Sequence, residues 1–197
     1  MPTMPGVRRA ALGDVTSIVA ALVRAFDDDP LSMYLFPNPR TRPRGLRRFF
    51  TVQLRRTFIA RGEVYTSEGC HAAALWMPPA PQPAGTLEHL AQIPMVTLIG
   101  WRLVRLVQLV QAHHPKVPHY YLGTLGTDPA WQGKGLGSAV LQPVLERCDE
   151  EAIPAYLESS KERNLAFYHR HGFEVIRELV VPDEDVKLWL MWREPRA

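Results

Sequence analysis

The stretch WQGKGLGSAV, residues 131–140, holds three glycines in five positions and a lysine between the first two. It runs into Leu136, Val140, Leu141, Val144, Leu145 and Cys148, which recur at helical spacing. The segment before it, His119 to Thr127, is rich in aromatics, contains Gly123 and Gly126, and reads as a strand. Glycines inside a strand mark a bulge or a close backbone approach. The loop therefore joins a strand to a helix. At such a junction glycines let the backbone come close to a ligand, and successive N–H groups at the helix start point at an anion. Gln132 adds a donor and Lys134 a charge. Two common phosphate motifs fail. The P-loop needs a glycine five residues before Gly133, where Asp128 stands, and a hydroxyl where Gly135 stands. The dinucleotide fingerprint needs a glycine at Ser138 and belongs on a first strand, not two-thirds along the chain.

Outward from the loop, the pattern predicts one α/β (α+β) domain with a mixed sheet, in the order β-α-α-β-β-α-β-α-β-α-β-β over residues 5–196. Val7–Ala10 is a short strand. Asp14 is placed to cap a helix over Val15–Phe26. DDDPLSMYLFPNP is a loop or broken helix, and a second helix covers Leu46–Ala60. Glu63–Glu68 and His71–Met77 form a hairpin around Gly69. Leu87–Gln111 is helical, broken near Pro94, and the wide apolar face of its second half suits burial, a ligand-cleft wall, a dimer contact or a membrane surface. After the glycine loop come a helix to about Glu151, which Pro143 should bend, a strand Ala155–Ser159, a helix Asn164–His171 stopped by Gly172, and a closing pair of strands, Phe173–Val181 and Asp185–Trp192.

With 197 residues, 46% hydrophobic and 22% charged, the chain has the make-up of an ordinary globular domain. Eight arginines and no acid lie between Pro30 and Gly62. No groove-reading motif accompanies them, so a nucleic-acid partner is not expected. The most apolar segment, Met95 to Val110, carries Arg102 and Arg105 and is too short and too charged for a transmembrane helix, and no membrane partner is expected. Cys70 and Cys148 lack metal-type spacing and read as free, buried thiols, in keeping with a cytoplasmic protein. No leader peptide is visible.

QGKGLG, Gln132 to Gly137, resembles the acetyl-CoA signature of the GNAT (GCN5-related) N-acetyltransferase superfamily. LGTDPAWQGKGLG resembles the family's whole strand–loop–helix motif. PAYLESSKERNLAFYHRHGFEV, residues 154–175, resembles its second motif. GLGSAVLQP, PAYLESS, NLAFY and GFEV are most similar to the puromycin N-acetyltransferase branch, which also has a counterpart of Pro143. The resemblance implies helices on both faces of the sheet and a V-shaped splay between the fourth and fifth strands. It implies acetyl-CoA as co-substrate and no metal. Its pyrophosphate would lie on the backbone of Gln132, Gly133, Lys134, Gly135, Leu136, Gly137 and Ser138. Its pantetheine would lie along Leu125, Gly126 and Thr127, with Asn164 as a further partner or a plain helix cap. A bulge at Gly123–Leu125 would free an N–H for the oxyanion.

The reaction implied is acyl transfer from a thioester to a primary amine. Tyr168 is the candidate acid for the leaving thiolate. Glu158 is the candidate base, since strand alternation sets it beside Tyr156 and Ser160 on one face, and a mid-strand carboxylate among apolar residues suggests a cleft. His119 and Tyr121 are rival bases; His113 and His114 read as solvated loop residues. Tyr34, Phe36 and Trp76 are candidates to line the acceptor pocket. The acceptor is a small-molecule amine, with an antibiotic such as puromycin in view, and the protein a monomer or homodimer. Two alternatives stay open: a protein N-terminal or lysine acetyltransferase, and a non-catalytic acyl-CoA-binding module.

Overall fold

In the computed structural model, residues 6–79, 100–182 and 184–196 are described. Seven strands form one sheet in the order β1-β2-β3-β4-β5-β7-β6. They are β1 (Val7–Arg9), β2 (Glu63–Ser67), β3 (Ala72–Met77), β4 (Tyr120–Thr127), β5 (Ala155–Ser159), β6 (Glu174–Val180) and β7 (Lys187–Arg193). All neighbours are antiparallel except β4 and β5. That parallel pair needs a crossover, which the glycine-loop helix supplies.

The helices are α1 (Val15–Ala25), α2 (Pro30–Leu35), α3 (Arg42–Gln53), α4 (Trp101–His113), α5 (Leu136–Glu150) and α6 (Leu165–Arg170). Residue alternation sorts them onto two faces. Ala72, Ala74, Trp76, Tyr120, Leu122, Ala155, Leu157 and Met191 face α5 and α6. Ala73 and Leu75 face α1 and α3, while Tyr121, Tyr156, Leu188 and Leu190 face α2 and α4. The sheet is thus mixed, with helices on both sides, as expected. The predicted helix from Leu87 and its break at Pro94 lie partly outside the described residues; α4 is the described part.

Several local readings change. Asp14 does not cap α1: a 3-10 turn, Leu12–Asp14, leads straight into the helix, and its carboxylate instead accepts from Arg8 (2.7 Å) and from Ala11 N–H (2.8 Å). DDDPLSMYLFPNP contains a true helix, because Asp29 accepts from Ser32 N–H and Pro30 occupies the first turn. The second helix starts earlier than Leu46, at Arg42, and ends through a π-helical stretch, Leu54–Phe58, and a last turn to Arg61. Arg42 is 9% exposed and donates to the carbonyls of Asp27, Phe36 and Pro37. That member of the arginine-rich segment is bound internally. α5 runs through Pro143 without interruption. Cys70 and Cys148 are free and buried.

Two irregularities position the site. Leu75 pairs with Thr124 and Trp76 with Leu122, so Gly123 is the extra residue of a bulge in β4. A Cβ there would lie 2.6 Å from Cζ of Phe58. The parallel β4–β5 register stops at Leu122↔Leu157, although β4 continues to Thr127 and β5 to Ser159. Beyond that point the two strands part, which is the splay that the resemblance implies.

Candidate active site

The glycine loop is built from its anchor outward. Asp128 is 6% exposed, accepts from Ala130 N–H (3.2 Å), and is bound by Arg24 of α1 (2.5 Å). The guanidinium holds this carboxyl below the usual range. Gln132 donates its side-chain amide to the carbonyl of Thr127 (3.1 Å), so it braces the loop against the end of β4. Gly133 (φ +74°) and Gly135 (φ +80°) then take left-handed conformations, with nothing within 4 Å of a hypothetical Cβ on either. Gly135 precedes the 15 residues of α5, whose first N–H groups have no intrahelical acceptor. Lys134 turns its ammonium onto the Trp131 ring (4.4 Å), itself stacked on His71 (3.8 Å).

In front of this loop opens a cleft of about 460 Å³, within the range of small-molecule sites. Leu125, Gly126 and Thr127 form one wall, Asn164, Phe167 and Tyr168 the other, with Gln132, Gly133, Gly135, Leu136, Gly137 and Ser138 at the loop end and Asp29 also lining it. The residues suit an extended thioester bearing a pyrophosphate. The loop offers open backbone at a helix start, and among the described residues β4 beyond Leu122 has no strand partner on the β5 side. Asn164 makes no side-chain cap, since a 3-10 turn, Glu162–Asn164, feeds α6 directly; the residue lines the cleft. Tyr168 is 7% exposed. Burial, and next the charge of Asp29, push its phenol above the usual tyrosine range, so it stays protonated at neutral pH.

The remaining predicted residues gather on the opposite sheet face. Glu158 accepts from the Tyr121 hydroxyl (2.8 Å), and burial, with the charge of Glu158 adding, holds that hydroxyl protonated. His114 corrects the sequence reading. It is not a solvated loop residue: its side chain is 11% exposed and Nδ1 lies 3.7 Å from Oε1 of Glu158, both atoms lacking a hydrogen-bond partner. Its ring meets those of His119, Tyr121 and Tyr156. The last helical turn of α4 delivers it there, a placement no local pattern encodes. His119 Nδ1 faces the Val117 carbonyl (2.7 Å), and burial lowers its pKa. Tyr34 packs in this cluster, beneath the Arg102 guanidinium (5.3 Å), with its hydroxyl unpartnered. Phe36 packs edge-on against Phe49.

Trp76 does not join them. It is 0% exposed and faces α5, because it shares strand parity with Ala72 and Ala74. It is core, not acceptor pocket. Sequence reasoning passed over Asp29 and Ser160: Ser160 Oγ donates to Asp29 Oδ2 at 2.6 Å, joining the α1–α2 turn to the end of β5 across 131 residues of sequence. Asp29 was readable as a cap ahead of Pro30, but not as a cleft residue.

The chain matches the family model described as Acetyltransferase (GNAT) family over residues 71–173, from β3 to the start of β6. It is 26% identical over 214 residues to an uncharacterized N-acetyltransferase of Schizosaccharomyces pombe, covering 96% of this chain and 83% of that protein. A crystal structure of histone acetyltransferase HPA2 and related acetyltransferase from Corynebacterium glutamicum superposes with a TM-score of 0.74 at 28% identity, over 99% and 98% of the two chains. The Drosophila melanogaster polyamine N-acetyltransferase, an enzyme that catalyses formation of N-acetylagmatine, shares the fold: TM-score 0.64, 16% identity, 96% and 99% coverage.

Proposed function

The chain belongs to the GNAT acetyltransferase family, and on that premise we propose that it moves an acetyl group from acetyl-CoA to the primary amine of a small molecule. One observation carries the reading: the β4–β5 wedge opens beside a helix start whose backbone is bare, with Tyr168 in the same cleft. When bound, acetyl-CoA supplies an activated acyl group, so much of the acceleration comes from holding the reactants in register. The backbone of Gly133–Ser138 holds the pyrophosphate, with Gln132 bracing it. Leu125, Gly126 and Thr127 offer the strand edge, and Asn164 the facing amide. An N–H at the Gly123 bulge stabilises the developing oxyanion.

Tyr168 protonates the sulfur as the C–S bond breaks. A phenol above its ordinary pKa is a weak acid for a thiol near 8.5, so the transfer accompanies cleavage rather than preceding it. The amine must lose a proton, and two carboxylates stand by the wedge, half-buried Glu158 and buried Asp29. An acceptor deprotonated at Glu158 is bounded by Tyr34, Tyr121 and His119. The similarity of the C-terminal motifs to the puromycin branch puts puromycin first among acceptors.

The test mixes the protein with acetyl-CoA and a panel of amines: puromycin, agmatine, an arylalkylamine and a lysine peptide. Free thiol is followed over the no-amine blank, and products are checked for the mass of one acetyl group. Turnover of a small amine is expected. Turnover of the peptide alone moves the assignment to a protein acceptor. Failure to bind acetyl-CoA overturns the reading.

A further inference from the structure

Asp29 is 4% exposed, and among the described residues no salt bridge reaches its carboxylate, although the charge of Lys161 acts on it. Oδ1 takes the Ser32 N–H (3.0 Å) and Oδ2 the Ser160 hydroxyl (2.6 Å). The neighbouring cations go elsewhere: Lys161 and Arg163 both bind Asp28 (2.5 and 2.7 Å). A buried carboxylate hydrogen-bonded to neutral donors is costly, and this one lines the same cleft as Tyr168.

The two partners open onto different spaces. Asp29 lines the cleft of the glycine loop. Ser160 lines a second, open cavity of about 440 Å³, walled by Pro30, Trp189, Glu162, Asp185 and Lys187. Lys161 and Arg163 line both spaces, so the two adjoin, and the Asp29–Ser160 hydrogen bond joins a residue of one to a residue of the other. Glu158 lines neither cavity.

We infer that Asp29, acting through the Ser160 hydroxyl, accepts the proton of an amine that arrives from the second cavity. The inference rests on the acetyltransferase reading above. As the amine nitrogen bonds to the acyl carbon, its proton passes to Ser160 Oγ and the Ser160 proton passes to Asp29 Oδ2. The C–S bond breaks, and sulfur takes the Tyr168 proton. The amine enters as the free base, so one proton reaches Asp29 and one leaves Tyr168. Asp29 then gives its proton to solvent and the Tyr168 phenolate takes one up from solvent, which restores both groups and balances atoms and charge. Burial raises the Asp29 pKa against the pull of Ser160, the Ser32 N–H and Lys161, which makes it a better base than an exposed aspartate. The titratable groups that interact with it are Tyr168 and Lys161, and Arg163 lines the same cleft.

The test compares wild type, Asp29→Asn, Ser160→Ala and Glu158→Gln on one amine that wild type acetylates, reading kcat against pH, acetyl-CoA affinity and melting temperature. Asn caps a helix as well as Asp, so the fold is kept. Asp29→Asn is expected to lower kcat about 10²-fold, to leave acetyl-CoA affinity within about twofold, and to remove the acidic limb of the kcat profile. Ser160→Ala is expected to give a similar loss, and the double variant little more, because the two act as one unit. Glu158→Gln is expected to keep the acidic limb. Near-wild-type turnover of Asp29→Asn overturns the inference. So does a loss of turnover with the limb unmoved, which is the mark of a purely structural role, and so does a limb that vanishes in Glu158→Gln instead. Absence of wild-type turnover on every amine overturns the acetyltransferase reading itself, and this one with it.

Discussion

Tyr168 occupies the one position where a phenol is both buried and open to the cleft, and its role is separable from its packing. Tyr168→Phe keeps the ring against Phe167 and Phe173 and removes only the proton. It is expected to lower kcat about 10²-fold with acetyl-CoA binding unchanged; stopped-assay kinetics beside a binding titration decide it. Undiminished turnover removes Tyr168 as the acid. Tyr168 was legible because NLAFY is a recognisable motif. His114 was not, since nothing in AHHPKVP distinguishes a histidine that ends a helix in solvent from one that turns beneath a sheet. Its place beside Glu158 follows from where α4 meets β4 and β5.

Elements set the next scale. The loop before α5 works because Gly133 and Gly135 hold left-handed backbone that a β-branched residue adopts only with strain. Gly135→Val meets no neighbour within 4 Å. Its cost to the fold is therefore about the 1–2 kcal/mol of a left-handed residue, and the protein is expected to remain folded while losing acetyl-CoA binding. Calorimetric titration of the folded variant checks this; normal binding removes the loop as the pyrophosphate site. Trp76 makes the opposite prediction. Trp76→Ala empties a fully buried position between β3 and α5, and is expected to cost about 3–5 kcal/mol in chemical denaturation rather than to alter amine affinity. A changed KM with intact stability returns it to the acceptor pocket. Strand parity already separated Trp76 from its neighbours in sequence, but which parity faced the acceptor awaited the packing of α5.

Across the whole molecule, one buried clamp ties the C-terminal strands to α5. Arg193, 2% exposed, donates to both oxygens of Asp149 (2.8 and 2.7 Å) and to the His171 carbonyl (2.9 Å). The guanidinium lowers the Asp149 pKa. A carboxylate whose folded pKa lies below its unfolded value, about 4, contributes stability above that value and loses it as pH falls through the folded one. Asp149→Asn is accordingly expected to be less stable than wild type by roughly 2–3 kcal/mol at neutral pH, with the gap narrowing below about pH 4. Urea unfolding at both pH values tests it, and a gap independent of pH would mean that the pair's charge is not what stabilises this junction.

The order of strands and helices, the anion-ready loop, the bulge at Gly123 and the cleft tyrosine were set by sequence alone. Each depends on local rules: periodicity, glycine conformation, or a motif of contiguous residues. Tertiary structure decided which groups meet across long separations. It put His114 beside Glu158, turned Trp76 into the core, and joined Asp29 to Ser160 where two cavities adjoin. Such pairings arise because a sheet brings distant strand ends together while burial selects the partner, and no spacing along the chain records the result.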